Sequence, residues 1–372
     1  MTTRENTKRI WIGPVPIGAG APVAVQSMTT THPQDIEGTL REIEEARRAG
    51  CEIMRVAVPD EEAARAFGEL KRRSPLPLIA DIHFRWKVAF EVIEAGADGV
   101  RINPGTLSQK ALREVISAAR EASIPIRVGI NAASLPRRIR ERFGGATPEA
   151  MVEAALEAIK LSEDLGHAQI KVSLKASDVL RTVEAYRLFA QRSSYPLHLG
   201  ITEAGPPFSG AVKSAVGLGI LLAEGLGDTL RVSLTGPPVL EVRAAYHILG
   251  ALGIRERGVD IISCPTCGRC EVDLPKLVEE IQGRLLHITA PIKVAVMGCV
   301  VNGPGEAKEA DVGIAGGRGE GVLFRKGEVI ARLPEREWVP RLVEEVQRLA
   351  QQYATSGGCK GSSESPSHGS AP

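Results

Sequence analysis

From about residue 23 to 254, two patterns alternate along the chain. Short runs rich in β-branched residues are separated by longer stretches with apolar positions at helical spacing. The runs cover 23–28, 52–58, 76–82, 99–103, 126–131, 169–175, 197–203 and 230–235. One intervening stretch shows the helical grammar in full. Thr147 is placed to cap it, Pro148 takes a first-turn position, Met151, Ala155 and Ile159 share one face, and Gly166 ends it. Gly50, Gly96, Gly166 and Gly227 each stand just before the next run, where a left-handed helix cap is needed. Eight strand–helix units in line predict a parallel (β/α)₈ TIM barrel rather than an open doubly wound sheet. A ninth run, 259–263, competes for a place in the register. Taking 23–28 as strand one gives every run its own following helix, the last at 238–252.

A second pattern follows. Residues 258–353 read as a helix at 273–285, strand runs at 292–297, 311–315, 321–324 and 329–333, and a closing helix at 335–351. That is a small α+β domain. The predicted organisation is a barrel at 1–254, the small domain at 258–353 and a tail at 354–372. The tail is rich in Gly, Ser and Pro and is expected to be disordered.

The full chain has 372 residues, with 46 Lys+Arg against 45 Asp+Glu, which argues against a uniformly basic nucleic-acid coat. Aromatic residues are only 4%, which disfavours base-stacking platforms. No stretch approaches the ~20 apolar residues of a membrane span, and MTTRENTKRI carries no apolar signal core. Six cysteines are too few for a disulfide scaffold, so the expected location is cytoplasmic.

Within the strand runs the polar residues follow a period of two. Arg101 and Asn103, Arg127 and Asn131, Lys171 and Lys175, and Arg231 and Ser233 alternate with Val, Ile and Leu. The helix-facing side of a barrel strand must be apolar, so these polar side chains are expected to point inward, near the C-terminal mouth. Arg55 adds a cation, and Asp81, His83 and Glu203 add acid–base groups. Most of the cations show no evident acidic mate in sequence. A concentration of buried cations fits a polyanion such as a diphosphate, for which the arginine fork is well shaped. A structural ion-pair network is the plainer reading.

Cys264, Cys267 and Cys270 form a CxxCxxC segment, and Cys299 lies in MGCVVNGPGE with Glu306 seven residues on. Thiolates in this spacing suit structural zinc or an iron–sulfur cluster, and spacing alone does not choose. Cys51 reads as a packed core thiol.

Taken together, VQSMTTT, RVAVP, ADIHF, VRINPG, RVGINAASL, SLKASDV, LHLGITEAG, RVSLTG, ISCPTCGR and GCVVNGPGEA resemble the 4-hydroxy-3-methylbut-2-enyl diphosphate synthase family of the methylerythritol phosphate route to isoprenoids. The resemblance implies a TIM barrel followed by an α+β domain like those of sulfite and nitrite reductases. It implies a [4Fe–4S] cluster held by Cys264, Cys267, Cys299 and Glu306, with Glu306 exchangeable. It implies reductive ring opening of a cyclic diphosphate by electrons from reduced flavodoxin or ferredoxin. It also implies a homodimer in which one subunit's cluster domain caps the other's barrel. Carried onto this chain, Arg55, Arg101, Asn103, Arg127, Asn131, Lys175, Arg231 and Ser233 bind substrate. Asp81, His83, Glu203 and Glu306 are catalytic, with Glu203 the proton donor. Cys270 departs from the family's ligand set. The competing readings are a zinc-stapled barrel that binds an anion without redox chemistry, and a pterin-binding barrel methyltransferase.

Overall fold

The computed structural model describes residues 1–299, 308–317 and 319–355. They divide into two compact units, Met1–Glu256 and a second unit that starts at Arg257. Among the described residues, no helix is long and apolar enough to cross a membrane.

The first unit opens with a hairpin, β1 (Ile10–Ile12) and β2 (Val15–Ile17). Eight parallel strands follow: β3 (Ala24–Met28), β4 (Ile53–Val58), β5 (Leu78–Ile82), β6 (Gly99–Ile102), β7 (Ile126–Asn131), β8 (Ile170–Lys175), β9 (His198–Leu199) and β10 (Thr229–Leu230). Their order is β8-β7-β6-β5-β4-β3-β10-β9, and a Val172–Leu197 bridge joins the two ends into a barrel. The helices are α1 (Ile36–Ala49), α2 (Glu61–Arg73), α3 (Val88–Glu94), α4 (Gln109–Glu121), α5 (Arg137–Arg142), α6 (Pro148–Asp164), α7 (Val179–Arg192), α8 (Pro207–Ala223) and α9 (Pro238–Ala251). The Thr147 hydroxyl accepts from the Ala150 N–H at the start of α6, as a capping threonine should.

The barrel register follows from alternation. Val56, Ala80, Val100, Val128, Val172 and Leu199 point outward and bury against the helices in one continuous core. The opposite alternation fills the interior. At its N-terminal end Ala24, Ile53 and Ile79 meet Ile10, Ile12 and Ile17, so the hairpin plugs the barrel floor. The sequence reading did not separate this hairpin or α5 from their surroundings.

Two strand predictions need correction. The run 197–203 supplies only two ladder residues, His198 and Leu199, and the run 230–235 only Leu230, since β10 begins one residue earlier at Thr229. The chain leaves the ladder at Gly200, where an added Cβ would lie 2.8 Å from the Arg231 carbonyl and would overlap the Lys175 ammonium. Glu203, Arg231 and Ser233 therefore lie beyond strand ends rather than in them.

The second unit is a five-stranded sheet of β11 (Val259–Ser263), β12 (Ile292–Met297), β13 (Val312–Gly316), β14 (Glu320–Arg325) and β15 (Glu328–Pro334), in sequence order. The first three strands are parallel and the last two antiparallel. The run 259–263 thus belongs here and not to the barrel. Helices α10 (Leu274–Leu285) and α11 (Trp338–Thr355) cover one face, with Trp338 sealed among Val294, Ile314 and Leu323. Gly316 and Gly321 make room for that indole: an added Cβ would lie 2.8 and 2.6 Å from it. Helix α11 runs to Thr355, two residues into the segment expected to lack structure. The rest of that tail lies outside the described residues.

Candidate functional site

The inward alternation brings the predicted polar residues together. Arg55 (β4), Asp81 (β5), Arg101 (β6), Arg127 (β7) and Lys175 (β8) all face the barrel axis. All five are buried, at 8% exposure or less. Asp81 is their hub. Its Oδ1 lies 3.1 Å from Arg101 Nη1 and its Oδ2 3.5 Å from Arg55 Nε. Burial alone would raise the Asp81 value. The two guanidinium charges outweigh it and hold the carboxyl far below the usual range. Arg55 also directs Nε and Nη2 at the Met28 sulfur, at 3.2 and 2.8 Å.

His83 sits half-exposed above this hub, with Nε2 3.2 Å from Arg101 Nη1. The same Nε2 lies 3.6 Å from Asp81 Oδ2. Arg231, just past β10, is held by an acid that the sequence reading missed. Glu241 on α9 accepts from Arg231 Nε at 2.9 Å and Nη2 at 2.8 Å, from the Ser27 hydroxyl at 2.7 Å and from the Leu234 N–H at 3.1 Å. A signal was present. Glu241 shares the buried face of α9 with Pro238, Val242 and Ala245, where an unpaired acid would be costly.

The expectation that most of these cations lack an acidic partner is therefore corrected. Arg55, Arg101 and Arg231 have one, because the acids come from neighbouring strands and from a helix that sequence spacing does not bring into view. Among the described residues, Arg127 and Lys175 make no ion pair, and Arg127 Nε and Nη1 are buried without a hydrogen-bond partner. Burial, then the charges of Arg127, Arg55, Arg231 and Arg101, lowers the Lys175 amine well below its ordinary value. Such a site attracts anions: it combines donors with no acceptor, low dielectric and fixed positive charge. Two small residues shape it. At Gly129 an added Cβ would lie 2.7 Å from Arg101 Nε, and Gly200 leaves space for the Lys175 ammonium.

The remaining predicted residues differ in placement. Asn103 is buried and spent on its own loop: Nδ2 donates to Ser134 Oγ at 2.8 Å and Oδ1 accepts from the Gly105 N–H at 2.9 Å. Asn131 pairs in register with Lys175 at the strand ends. Ser233 is half-buried, two residues past Arg231. Glu203 is exposed and sits in the left-handed region at φ 53°, which costs a non-glycine residue energy. Glu203 stands on the loop that follows β9.

In the second unit the thiols gather at one end of the sheet. Strands β11 and β12 run parallel in register from Val259–Ile292 to Ser263–Val296. Cys264 and the Gly298–Cys299 pair therefore emerge side by side. The Gly298 N–H donates to Cys264 Sγ at 3.3 Å, and Cys270 Sγ packs against Gly298. Cys267 is exposed, and hydrogen bonds from the Arg269 backbone and side chain lower its thiol below the ordinary value. Cys270 donates to the Val272 carbonyl at 3.2 Å. Among the described residues, no three His, Cys, Asp or Glu side chains converge as a finished metal cage. Glu306 lies outside the described residues. Soft thiolates from two adjoining segments suit an iron–sulfur cluster or zinc. Cys51 is buried as expected, and burial pushes its thiol up to about 12.

Comparison with known proteins bears on both units. A family model described as the GcpE TIM-barrel domain matches residues 7–246, and one described as the GcpE protein C-terminal domain matches residues 260–348. A 4-hydroxy-3-methylbut-2-en-1-yl diphosphate synthase (flavodoxin) of Thermodesulfovibrio yellowstonii is 57% identical over 94% of this chain and 100% of its own. The proteins of that name from Geobacter sulfurreducens and Bacillus licheniformis are 56% and 51% identical over 93% and 95% of this chain, and 98% and 96% of theirs. Among solved structures, a Yersinia pestis dihydropteroate synthase in a sulfonamide complex aligns with TM-score 0.51 at 13% identity. It covers 66% of this chain and 98% of that one. This last likeness is one of barrel fold. The family matches favour the reductase among the readings weighed above, and neither the zinc-stapled barrel nor the methyltransferase.

Proposed function

The chain belongs to the GcpE family, and on that premise we propose that it reduces 2-C-methyl-D-erythritol 2,4-cyclodiphosphate to 4-hydroxy-3-methylbut-2-enyl diphosphate. Reduced flavodoxin supplies the electrons. Two electrons and one proton enter, a ring C–O bond opens, and one hydroxyl leaves as water. The observation that carries this reading is the set of buried, unpaired donors on Arg127 inside the barrel, close enough to Lys175 for its charge to be felt there.

Arg127 and Lys175 bind the diphosphate, with Arg55 and Arg101 oriented toward it by Asp81 and Arg231 oriented by Glu241. Asn131 and Ser233 complete the cradle from strand ends. Asn103 contributes by shaping the loop at 103–105. Glu203 delivers the proton to the departing hydroxyl, since an acid near the leaving oxygen lowers the barrier to expelling it. His83 and Asp81 keep Arg101 fixed below the reacting carbons. Cys264, Cys267, Cys299 and Glu306 hold a [4Fe–4S] cluster in the second unit, and the donor chemistry of the described thiols fits one. When bound, that cluster supplies the electrons and a Lewis-acidic iron. The protein acts as a homodimer in which the second unit of one chain serves the barrel of its partner, and it works in the cytoplasm.

Anaerobic purification tests the reading first. The protein should be brown, carry about four irons per chain and convert the cyclic diphosphate with reduced flavodoxin. A colourless protein with zinc at about one per chain would sink it. Glu203→Ala should lose turnover while keeping the cluster absorbance, and full activity in that variant removes the proposed proton donor.

A further inference from the structure

Deeper in the barrel than Lys175, the polar lining continues. Lys171 on β8 is the register partner of Arg127 on β7, and His198 on β9 is the register partner of Thr229 on β10. With Gln26 on β3, these side chains line neighbouring strands, and each is at most 3% exposed. Only His198 and Thr229 satisfy one another, through Nδ1 and Oγ1 at 2.8 Å. Lys171 Nζ, His198 Nε2, both amide atoms of Gln26, and Nε and Nη1 of Arg127 are buried without a partner. The facing wall is apolar, with Ile12 and Ile79 lining a cavity of about 10 Å³ beside Arg127 and Lys171, the room one water needs.

The charged groups that reach Lys171 come from several elements: Arg127 on β7, Arg55 on β4, His198 on β9 and Asp228 ahead of β10. Asp228 is the one acid among them, and its oxygens are taken by the Thr7 hydroxyl at 2.7 Å and the Leu197 N–H at 2.7 Å. Buried cations without an acid are untenable, and the group able to shed its charge does so. An arginine keeps its proton, whereas a lysine gives it up readily when buried.

We infer that Lys171 is the charge-balancing residue of the diphosphate site: a neutral amine without the anion, it takes one proton from solvent when the anion binds, and with Arg127 becomes the cationic floor beneath it. This rests on the barrel being the diphosphate site proposed above. Burial, then the Arg127 charge, holds the amine well below its ordinary value, with Asp228 opposing and Arg55 adding to the effect. An anion above Arg127 reverses that balance. Lys171 does not touch the reacting atoms. It is a positioning residue, and binding of the anion becomes proton-linked through it.

The experiment is calorimetric titration of the cyclic diphosphate into the holoenzyme, in buffers of different ionisation enthalpy at one pH. Each phosphorus of the ligand carries a single strongly acidic group, so any proton taken up near neutral pH goes to protein. Lys171→Met and Lys171→Gln should take up about one proton fewer than the natural enzyme. Equal uptake in all three assigns the proton elsewhere and overturns the inference. Should neither variant fold, the natural enzyme still decides. Its affinity should fall as pH rises above neutrality, by up to about tenfold per pH unit, and a flat profile overturns the inference. Failure of the cyclic diphosphate to bind at all would instead remove the proposed function.

Discussion

Glu241 shows what a single helix residue does for the barrel interior. It gives Arg231 two parallel hydrogen bonds and ties Ser27 and the Leu234 N–H to the same carboxylate. Glu241→Gln strips the charge and at least one of these bonds. Urea unfolding should show a loss of about 3 kcal/mol, the cost of leaving one partner of a buried pair uncompensated. The KM for the cyclic diphosphate should rise about tenfold, the worth of one charge-assisted hydrogen bond, with kcat less affected. Asp228 gives a pH signature. Burial raises its value to about 6, against the lowering effect of bonds from the Leu197 N–H and the Thr7 hydroxyl. An acid raised in the folded state stabilises the fold fully below its unfolded value near 4, and loses that contribution as pH rises through about 6. The swing is of order 3 kcal/mol. Between pH 4 and 7 the urea midpoint of the natural protein should therefore fall relative to that of Asp228→Asn, and parallel curves would remove this account. Much of this scale was legible in sequence. Alternation alone pointed Arg101, Arg127 and Lys175 inward. What it could not supply was pairing, because Asp81 and Glu241 meet their arginines only through sheet register and helix packing.

At the scale of elements, period-two and helical patterns identified the barrel strands from β3 to β8 and their helices, since both faces of each strand carry a distinct chemical instruction. They overextended β9 and β10. β9 ends where Gly200 and the turn through Glu203 redirect the chain, β10 ends at Leu230, and in both runs the apolar alternation continues past the last ladder residue. The β1–β2 hairpin escaped notice because its apolar residues serve the floor of the barrel and not a strand–helix unit. Ile12 is 1% exposed there. Ile12→Ala should cost about 3 kcal/mol in urea unfolding, through a cavity the plug cannot collapse.

At the scale of the whole molecule, the chain separates its tasks. The first unit concentrates cations inside its barrel, and the second gathers thiols on a sheet with a sealed Trp338 core. A near-neutral total charge hides this division, and the sequence revealed it because the cysteines and the inward arginines fall in separate segments. If the units of two chains work in trans, Cys267→Ala and Glu203→Ala chains, each inactive alone, should complement when co-expressed. Random pairing would restore about a quarter of the natural activity, and none is expected if each chain serves only itself. A last consequence comes from the shortness of β9 and β10. Each contributes two ladder residues, and β8 meets β9 through the single Val172–Leu197 bridge. Few amides guard that seam, so native-state hydrogen exchange should be fastest there among the barrel strands. Lys175 lies on one side of the seam and Arg231 on the other. An anion held by both would act as a rivet, and the amides of 197–200 and 229–231 should slow their exchange when the cyclic diphosphate binds.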